Sequence, residues 1–349
     1  MKNKVIVISQ SINQPRVVNR INALSQQYKN VEVITFNRSI YDVGNYENIF
    51  GSNISIRIVA KIEDGKYLKR LFTALKMMTI LLSKIFIKQD VYCFGLDSRI
   101  YTSILIFNDK YYEISDIVWL YYKDFNKMIW SNLDFYLAKK SKKIIFTSEG
   151  FYRKHYNFIS EQKVVIEENK FKTYGKVNPI LNLSKDRISI GYIGAFRYFN
   201  IIKDIIKVVS ENPNIDLNFY GDGPIEIKDY IIEKQCQFKN IKFHGSFKNP
   251  DDLTHIYKVC NLNFVCYDNK LANELVAMPN KYYESGFFNI PIVCSTKTFL
   301  SEKVLQNNMG WAINPNYEDL KLFFDSLSME EIIEKHEKIQ KLDKKLFVK

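Results

Sequence analysis

Residues 278–293 read Met278-Pro279-Asn280-Lys281-Tyr282-Tyr283-Glu284-Ser285-Gly286-Phe287-Phe288-Asn289-Ile290-Pro291-Ile292-Val293. A proline at a first helical position, a short helical run and then a β-branched segment describe a helix feeding a buried strand. Proline there leaves the first-turn amides free, and with the helix dipole these form a site for an anion. Lys281 adds a full positive charge to a bound diphosphate. One turn later, Glu284 can accept bidentate hydrogen bonds from vicinal hydroxyls, as on a ribose. Gly286 lets the short helix pack closely before the chain enters the strand. The competing interpretation is a surface glutamate on an ordinary helix. It loses weight because Pro, Lys, Glu and Gly stand together immediately ahead of a buried strand.

On both sides of this segment, β-branched and aromatic runs alternate with amphipathic stretches, the pattern of parallel sheets with crossover helices. Strands are expected in the first half near Lys4–Ser11, Val31–Arg38, Ile54–Ala60, Asp90–Leu96, Tyr111–Ser115, Lys143–Ser148 and Lys163–Glu167. In the second half they fall near Ile188–Ala195, Leu217–Gly221, Ile241–Gly245, Leu262–Tyr267, Pro291–Ser295 and Trp311–Asn314. Lys172–Asp186 is polar and aperiodic, with Gly175 and Pro179, and is the expected linker. The fold class is therefore α/β, with two doubly wound domains (1–180 and 188–328) facing across a cleft. Ligands of such sheets sit at the carboxyl ends of the strands. Residues 329–349 read as a charged helix expected to pack back across the linker onto the first domain. Two glycine turns end strands in the second half. In Ile190-Gly191-Tyr192-Ile193-Gly194-Ala195-Phe196-Arg197, Gly194 lets a ligand approach the backbone and Arg197 can meet a phosphate. Tyr220-Gly221-Asp222-Gly223-Pro224 is the other. Each turn alone is more readily structural than functional.

At 349 residues the chain exceeds the size of one ordinary core, and a 46% apolar, 25% charged composition is that of a globular protein. Cys93, Cys236, Cys260, Cys266 and Cys294 are scattered, which suggests neither a zinc site nor a disulfide framework and fits reduced thiols in a cytoplasmic protein. The first strand is too short for the apolar region of a signal peptide, and no apolar run is long enough to span a bilayer. The four histidines are isolated in pattern, and no Asp-x-Asp motif occurs. No metal site and no cofactor are expected.

The net charge of +12 is uneven. Residues 1–187 carry 30 Lys and Arg against 17 Asp and Glu, whereas residues 188–349 carry 20 against 21. Such asymmetry points the first half at something anionic. At 100° per residue, Lys66, Lys69, Arg70, Lys76, Lys84 and Lys88 of the stretch 66–88 fall within roughly a third of the circle. One reading is a crossover helix with a basic solvent edge. The other is a helix whose cations, Lys76 and Lys84 among them, reach an anionic membrane surface. Basic residues spread over a whole domain without a recognition motif do not indicate nucleic acid. A nicotinamide dehydrogenase would need G-x-G-x-x-G after the first strand, and Ser9–Gln14 contains no glycine.

The order of the Gly194 turn, Gly221–Pro224, Asn240–Gly245, Leu262–Tyr267 and Pro279-Asn280-Lys281-Tyr282-Tyr283-Glu284 resembles glycosyltransferase family 4, of the GT-B fold. It is similar in particular to bacterial capsule, exopolysaccharide and O-antigen enzymes. Gln14-Pro15-Arg16-Val17 through Leu24 resembles that family's opening helix, and Lys143–Phe151 its last strand and turn in the first domain. The resemblance implies a metal-independent, retaining hexosyltransferase using a UDP- or GDP-sugar. It implies that Glu284 holds the donor ribose, with Pro279, Asn280 and Lys281 near the diphosphate. Gly194 and Arg197 would lie near the phosphates, and Gly221 and Gly223 near the nucleobase. Many members carry a second Glu eight residues before the ribose one; here that position is Val276, and Glu274 lies two residues earlier. Ala195 stands where many members have Arg.

An acceptor hydroxyl must lose its proton as the glycosidic bond forms. Tyr111-Tyr112-Glu113-Ile114-Ser115-Asp116 ends a first-domain strand, and Asp116 or Glu113 is the candidate catalytic contact. The alternative is that Ser115 or Asp116 caps a helix including Trp119–Tyr122. In retaining members a donor phosphate oxygen is thought to take the proton, which would leave no base to find. Arg16, with Lys76 and Lys84, is assigned to the acceptor or membrane side. The expected acceptor is a lipid-linked glycan, with the enzyme peripheral on the inner face of the plasma membrane. The competing function is a non-catalytic nucleotide or sugar binder on the same fold.

Overall fold

Each of the thirteen expected strands is a strand in the computed structural model, displaced at its ends by three residues at most. The structure describes residues 2–12, 14–38, 50–62, 67–172 and 187–349, the side chains of 15, 38, 62 and 67–71 excepted. The chain divides into two compact units, Met1–Glu168 and Asn169–Lys349.

In the first unit the chain runs β1 (Lys2–Ser9), α1 (Pro15–Ser25), β2 (Tyr28–Arg38), β3 (Ile54–Ile62), α2 (Tyr67–Leu82), β4 (Asp90–Phe94) and α3 (Gly95–Tyr101). It continues as β5 (Asp109–Ile114), α4 (Asp124–Lys139), β6 (Lys143–Phe146), α5 (Glu149–Phe151) and β7 (Val164–Ile166). The seven strands pair in parallel in the order β3-β2-β1-β4-β5-β6-β7. Apolar residues of β1 and β2 face Val17, Ile21 and Leu24 of α1, which are spaced to share one side of a helix. α2 ends at Leu82, so the basic stripe drawn through residue 88 does not lie on one helix. Lys66 lies outside the described residues, as do the side chains of Lys69 and Arg70. Lys84 follows the helix in a turn and its ammonium meets Glu32 of β2 at 2.7 Å.

The second unit runs β8 (Ile188–Ala195), α6 (Phe199–Ser210), β9 (Ile215–Asp222), α7 (Ile225–Gln237), β10 (Ile241–Gly245), α8 (Leu253–Val259) and β11 (Leu262–Val265). It continues as α9 (Asn280–Phe288), β12 (Ile292–Ser295), α10 (Phe299–Gln306), β13 (Gly310–Ile313), α11 (Tyr317–Ser326) and α12 (Met329–Gln340). Its sheet, again wholly parallel, has the order β10-β9-β8-β11-β12-β13. In both units the strand order reverses beside the first strand, which is where doubly wound sheets open a ligand crevice. Two apolar clusters pack this sheet, one drawn from α6, α7 and α11 and the other from α8, α9 and α10.

The expected linker lies, beyond Lys172, outside the described residues. Phe171 already belongs to the second unit. Its N–H donates to the Phe347 carbonyl at 2.8 Å, the Lys349 N–H donates to the Phe171 carbonyl at 3.1 Å, and its ring lies 5.0 Å from that of Phe287. For residues 329–349, expected to return across the linker, the described contacts of Ile332, Ile339 and Phe347 are with the second unit's own core.

Candidate functional site

The carboxyl end of β8 meets that of β9 glycine to glycine, Gly194 beside Gly221. Both backbones have positive φ, +126° and +148°. A Cβ on Gly221 would stand 1.8 Å from the Gly194 carbonyl oxygen, so only glycine lets the two strand ends close up. A Cβ on Gly194 would meet the Lys281 stem at 3.4 Å, which brings α9 against this glycine floor. Gly223 continues the same edge against Phe196.

Pro279 proves to be the N-cap of α9 rather than its first helical residue, and Asn280, exposed, begins the helix. The reason is local: with φ −77° and ψ 152° the proline is extended, as a capping residue must be. It has no side-chain acceptor to turn onto the first-turn amides. One turn in, Glu284 is 2% exposed. Its Oε2 accepts from Lys281 Nζ at 2.6 Å and from the Tyr257 hydroxyl at 3.0 Å. The Lys281 ammonium also lies 5.5 Å from the centre of the Phe247 ring. Burial, and then the Glu284 charge, push the Tyr257 phenol well above its ordinary range. The buried carboxylate is thus matched by one cation and one phenol, as burial of a charge requires.

Arg197 lies exposed just past β8. The Tyr267 phenol, pushed up to about 12 mainly by burial, is drawn down by Arg197 and pushed further up by Glu274 and Glu284. Arg197 and both carboxylates therefore lie within electrostatic reach of one hydroxyl. Glu274 is buried and accepts the Tyr198 hydroxyl at 3.1 Å, and the Tyr198 and Tyr267 rings are 5.3 Å apart. Gly194, Gly221, Gly223, Lys281, Glu284 and Arg197 thus gather at the carboxyl ends of the central strands. Tyr257, Tyr267 and Tyr198 join them without any spacing that could have announced it. Glu274 stands two residues from Val276, the position where the resemblance expects a second Glu.

The first unit's candidates divide. Glu113, next to last in β5, is 1% exposed and held on three sides. The Tyr92 hydroxyl donates to it at 2.6 Å, Arg20 Nε donates at 2.9 Å, and Arg16 Nε stands 3.7 Å away. Arg20 also pairs with Glu167, and Arg16 donates to Gln14 at 3.1 Å. Glu113 therefore ties α1 to the strand ends. Asp116, three residues on, is exposed in the loop after β5. The turn that follows, Val118–Tyr121, has Ile117 as its N-cap and no side-chain cap bond. That turn is pinned from behind by Asp134, which is 2% exposed and accepts Trp119 Nε1 at 2.9 Å, Tyr112 at 2.8 Å and Tyr156 at 2.5 Å. Burial raises the Asp134 carboxyl, and the three donors partly hold it down. Lys76 is exposed on α2, whereas Lys84 is bound to Glu32. Among the described residues, no group of three or more His, Cys, Asp or Glu side chains is placed to hold a metal ion.

No protein-family model matches the sequence, and no curated protein matches it. Solved structures do. Sucrose-phosphate synthase from Thermosynechococcus elongatus superposes with a TM-score of 0.70 at 12% identity, over 99% of this chain and 95% of that one. HepE from Anabaena, solved with UDP and glucose, gives 0.66 at 13% identity over 99% and 96%. The lipopolysaccharide outer core galactosyltransferase WaaB gives 0.60 at 13% over 97% and 95%. The likeness runs along nearly the full length of all three glycosyltransferases, and the chain, with its two wholly parallel sheets and their crossover helices, has their GT-B fold.

Proposed function

We propose that the protein is a glycosyltransferase that moves a hexose-type sugar from a nucleotide diphosphate, UDP- or GDP-linked, to a lipid-linked surface glycan. The observation that carries this is the Lys281–Glu284 pair at the start of α9, set against the Gly194–Gly221 floor. An open glycine edge, a helix N-terminus and a lysine suit a diphosphate, and a carboxylate one turn deeper suits a ribose diol. Arg197 adds a second cation on the phosphate side. As the acceptor oxygen bonds to the anomeric carbon, the bond from that carbon to the diphosphate breaks and negative charge grows on the leaving oxygen. Lys281, Arg197 and the α9 amides are the groups that stabilise it.

The acceptor proton goes either to a donor phosphate oxygen, with retention, or to Asp116. Glu113, enclosed by Arg16, Arg20 and Tyr92, is better suited to holding α1 in position. The reading needs no metal, since lysine, arginine and amides supply the positive charge. A cytoplasmic site of action, peripheral on the inner face of the plasma membrane, follows from the lipid-linked acceptor. The alternative of a non-catalytic binder rests on Val276 standing where a sugar-binding Glu is common. Glu274, buried and bonded to the Tyr198 hydroxyl, offers an acid to the donor sugar and favours catalysis.

Calorimetric titration with UDP and GDP, paired with a transfer assay, tests this. One nucleotide should bind, and Glu284→Gln or Lys281→Gln should each weaken it at least about tenfold, about 1.4 kcal/mol. Glutamine is the right probe because alanine would strand a buried partner. Asp116→Asn should leave nucleotide affinity intact and cut transfer if it is the base. Unchanged affinity in Glu284→Gln would remove the ribose role. Binding without turnover of any nucleotide sugar would leave only the binder.

A further inference from the structure

α4 turns an unusual side to solvent. Asp134, Leu137 and Ala138 bury one face of the helix. On the opposite face, Phe125, Ile129 and Tyr136 fall within about 40° of arc at 100° per residue, with Met128 beside them. They are 67%, 43%, 58% and 53% exposed. A surface helix normally carries charge there, so this stripe is apolar where packing gives it no reason to be.

Cations frame it. Lys139 and Lys140, both exposed, flank the stripe at the far end of the helix. The Lys140 ammonium lies 5.9 Å from the Tyr136 ring, and that of Lys139 lies 5.0 Å from the ring of Phe158, itself exposed. The same layer continues into α2. The connections β3-α2-β4 and β5-α4-β6 step across the sheet in the same direction, so right-handed crossovers put both helices on one side, with α3 touching each. The outer side of α2 again shows Phe72 and Leu75 beside Lys76.

We propose that the outer face of α4, with α2 alongside, docks the first unit flat on an anionic lipid bilayer. Aromatic and aliphatic side chains enter the headgroup boundary while the flanking lysines meet lipid phosphates. The charge is right for that occupant: residues 1–168 carry 25 Lys and Arg against 16 Asp and Glu. It is wrong for a second copy, since an isologous contact sets the patch on itself and brings lysine toward lysine. Among the described residues no helix is long and apolar enough to cross a membrane, so the contact lies in the interface plane. The inference deepens the lipid-linked acceptor reading and rests on it. It moves the docking element from the lysines of residues 66–88 to α4.

The test is flotation of the full chain with vesicles of phosphatidylcholine alone or with about a third phosphatidylglycerol. Wild type should float with the anionic vesicles, and less so as salt rises. F125S with I129S, and separately K139E with K140E, should each reduce binding at least about tenfold while UDP or GDP affinity stays at the wild-type value. If both α4 variants float like wild type while F72S with L75S does not, the membrane reading stands and α4 as its anchor is wrong. A wild type that ignores anionic vesicles overturns both. A concentration-dependent dimer that F125S with I129S abolishes would identify the occupant as a second copy and refute the proposal.

Discussion

The residues that matter most in the second unit owe their roles to very close approaches. A Cβ on Gly286 would lie 2.2 Å from the Phe347 ring, so alanine there must displace the ring or tilt α9. Gly286→Ala is expected to cost about 1–3 kcal/mol by overpacking, and Phe347→Ala about 3–5 kcal/mol by emptying a fully buried site. The double substitution should cost clearly less than the two together, because removing the ring removes the clash. Urea denaturation of the four proteins measures this, and additive losses would contradict the contact. At this scale the local half of the site was readable. Lys281 and Glu284 are three apart on a helix and must be neighbours. Tyr257 was not readable, because only packing brings it to Glu284. The enclosure of Glu113 is hidden in the sequence for the same reason: Arg20, its partner, is 93 residues away in the chain.

Among elements, α9 is anchored from behind. Lys344 Nζ donates to the Gly286 carbonyl at 2.8 Å, to the Ile339 carbonyl at 3.2 Å and to the Asn289 side chain, and His336 Nδ1 lies 2.7 Å from the Asn289 carbonyl. A cation at a helix C-terminus opposes the dipole there, and here it also holds the helix that carries Lys281 and Glu284. Burial pushes the Lys344 ammonium down from 10.5 to about 8. Between those values the folded chain holds fewer protons than the unfolded one. The contribution of this group to stability therefore rises with pH across the window, and its cost is complete below about pH 8. The gap in denaturation midpoint between wild type and Lys344→Met should shift in favour of wild type from pH 8 to 10. A gap that stays flat or shifts the other way would mean the ammonium is not desolvated. The helix boundary misread in the sequence belongs here too. Periodicity extends past Leu82, where α2 stops, and the Lys84–Glu32 contact just beyond joins residues 52 apart that no window of the sequence contains.

For the molecule as a whole, alternation of strands and helices carried nearly all the information. Thirteen apolar runs gave two parallel sheets because parallel strands need crossover helices between them. What stayed hidden was the ownership of the ends. Nothing in Phe171 or Phe347 marks them as belonging to the second unit's core, yet both are buried in it. Residues 169–349 expressed alone should therefore melt cooperatively and bind the same nucleotide within about tenfold of the intact chain. A second unit that is molten, or folded but blind to nucleotide, would show that donor binding needs the first unit.

The parallel bridge between Phe171 and Val348 has a consequence for the order in which the fold can be written. Because the chain enters and leaves the unit at adjacent points, the path through it is nearly a closed ring. Such a ring tolerates being opened elsewhere: joining 349 to 169 through a short glycine linker, and starting the chain at the exposed residues Asp251 and Asp252, would keep all six strands in their places in the sheet.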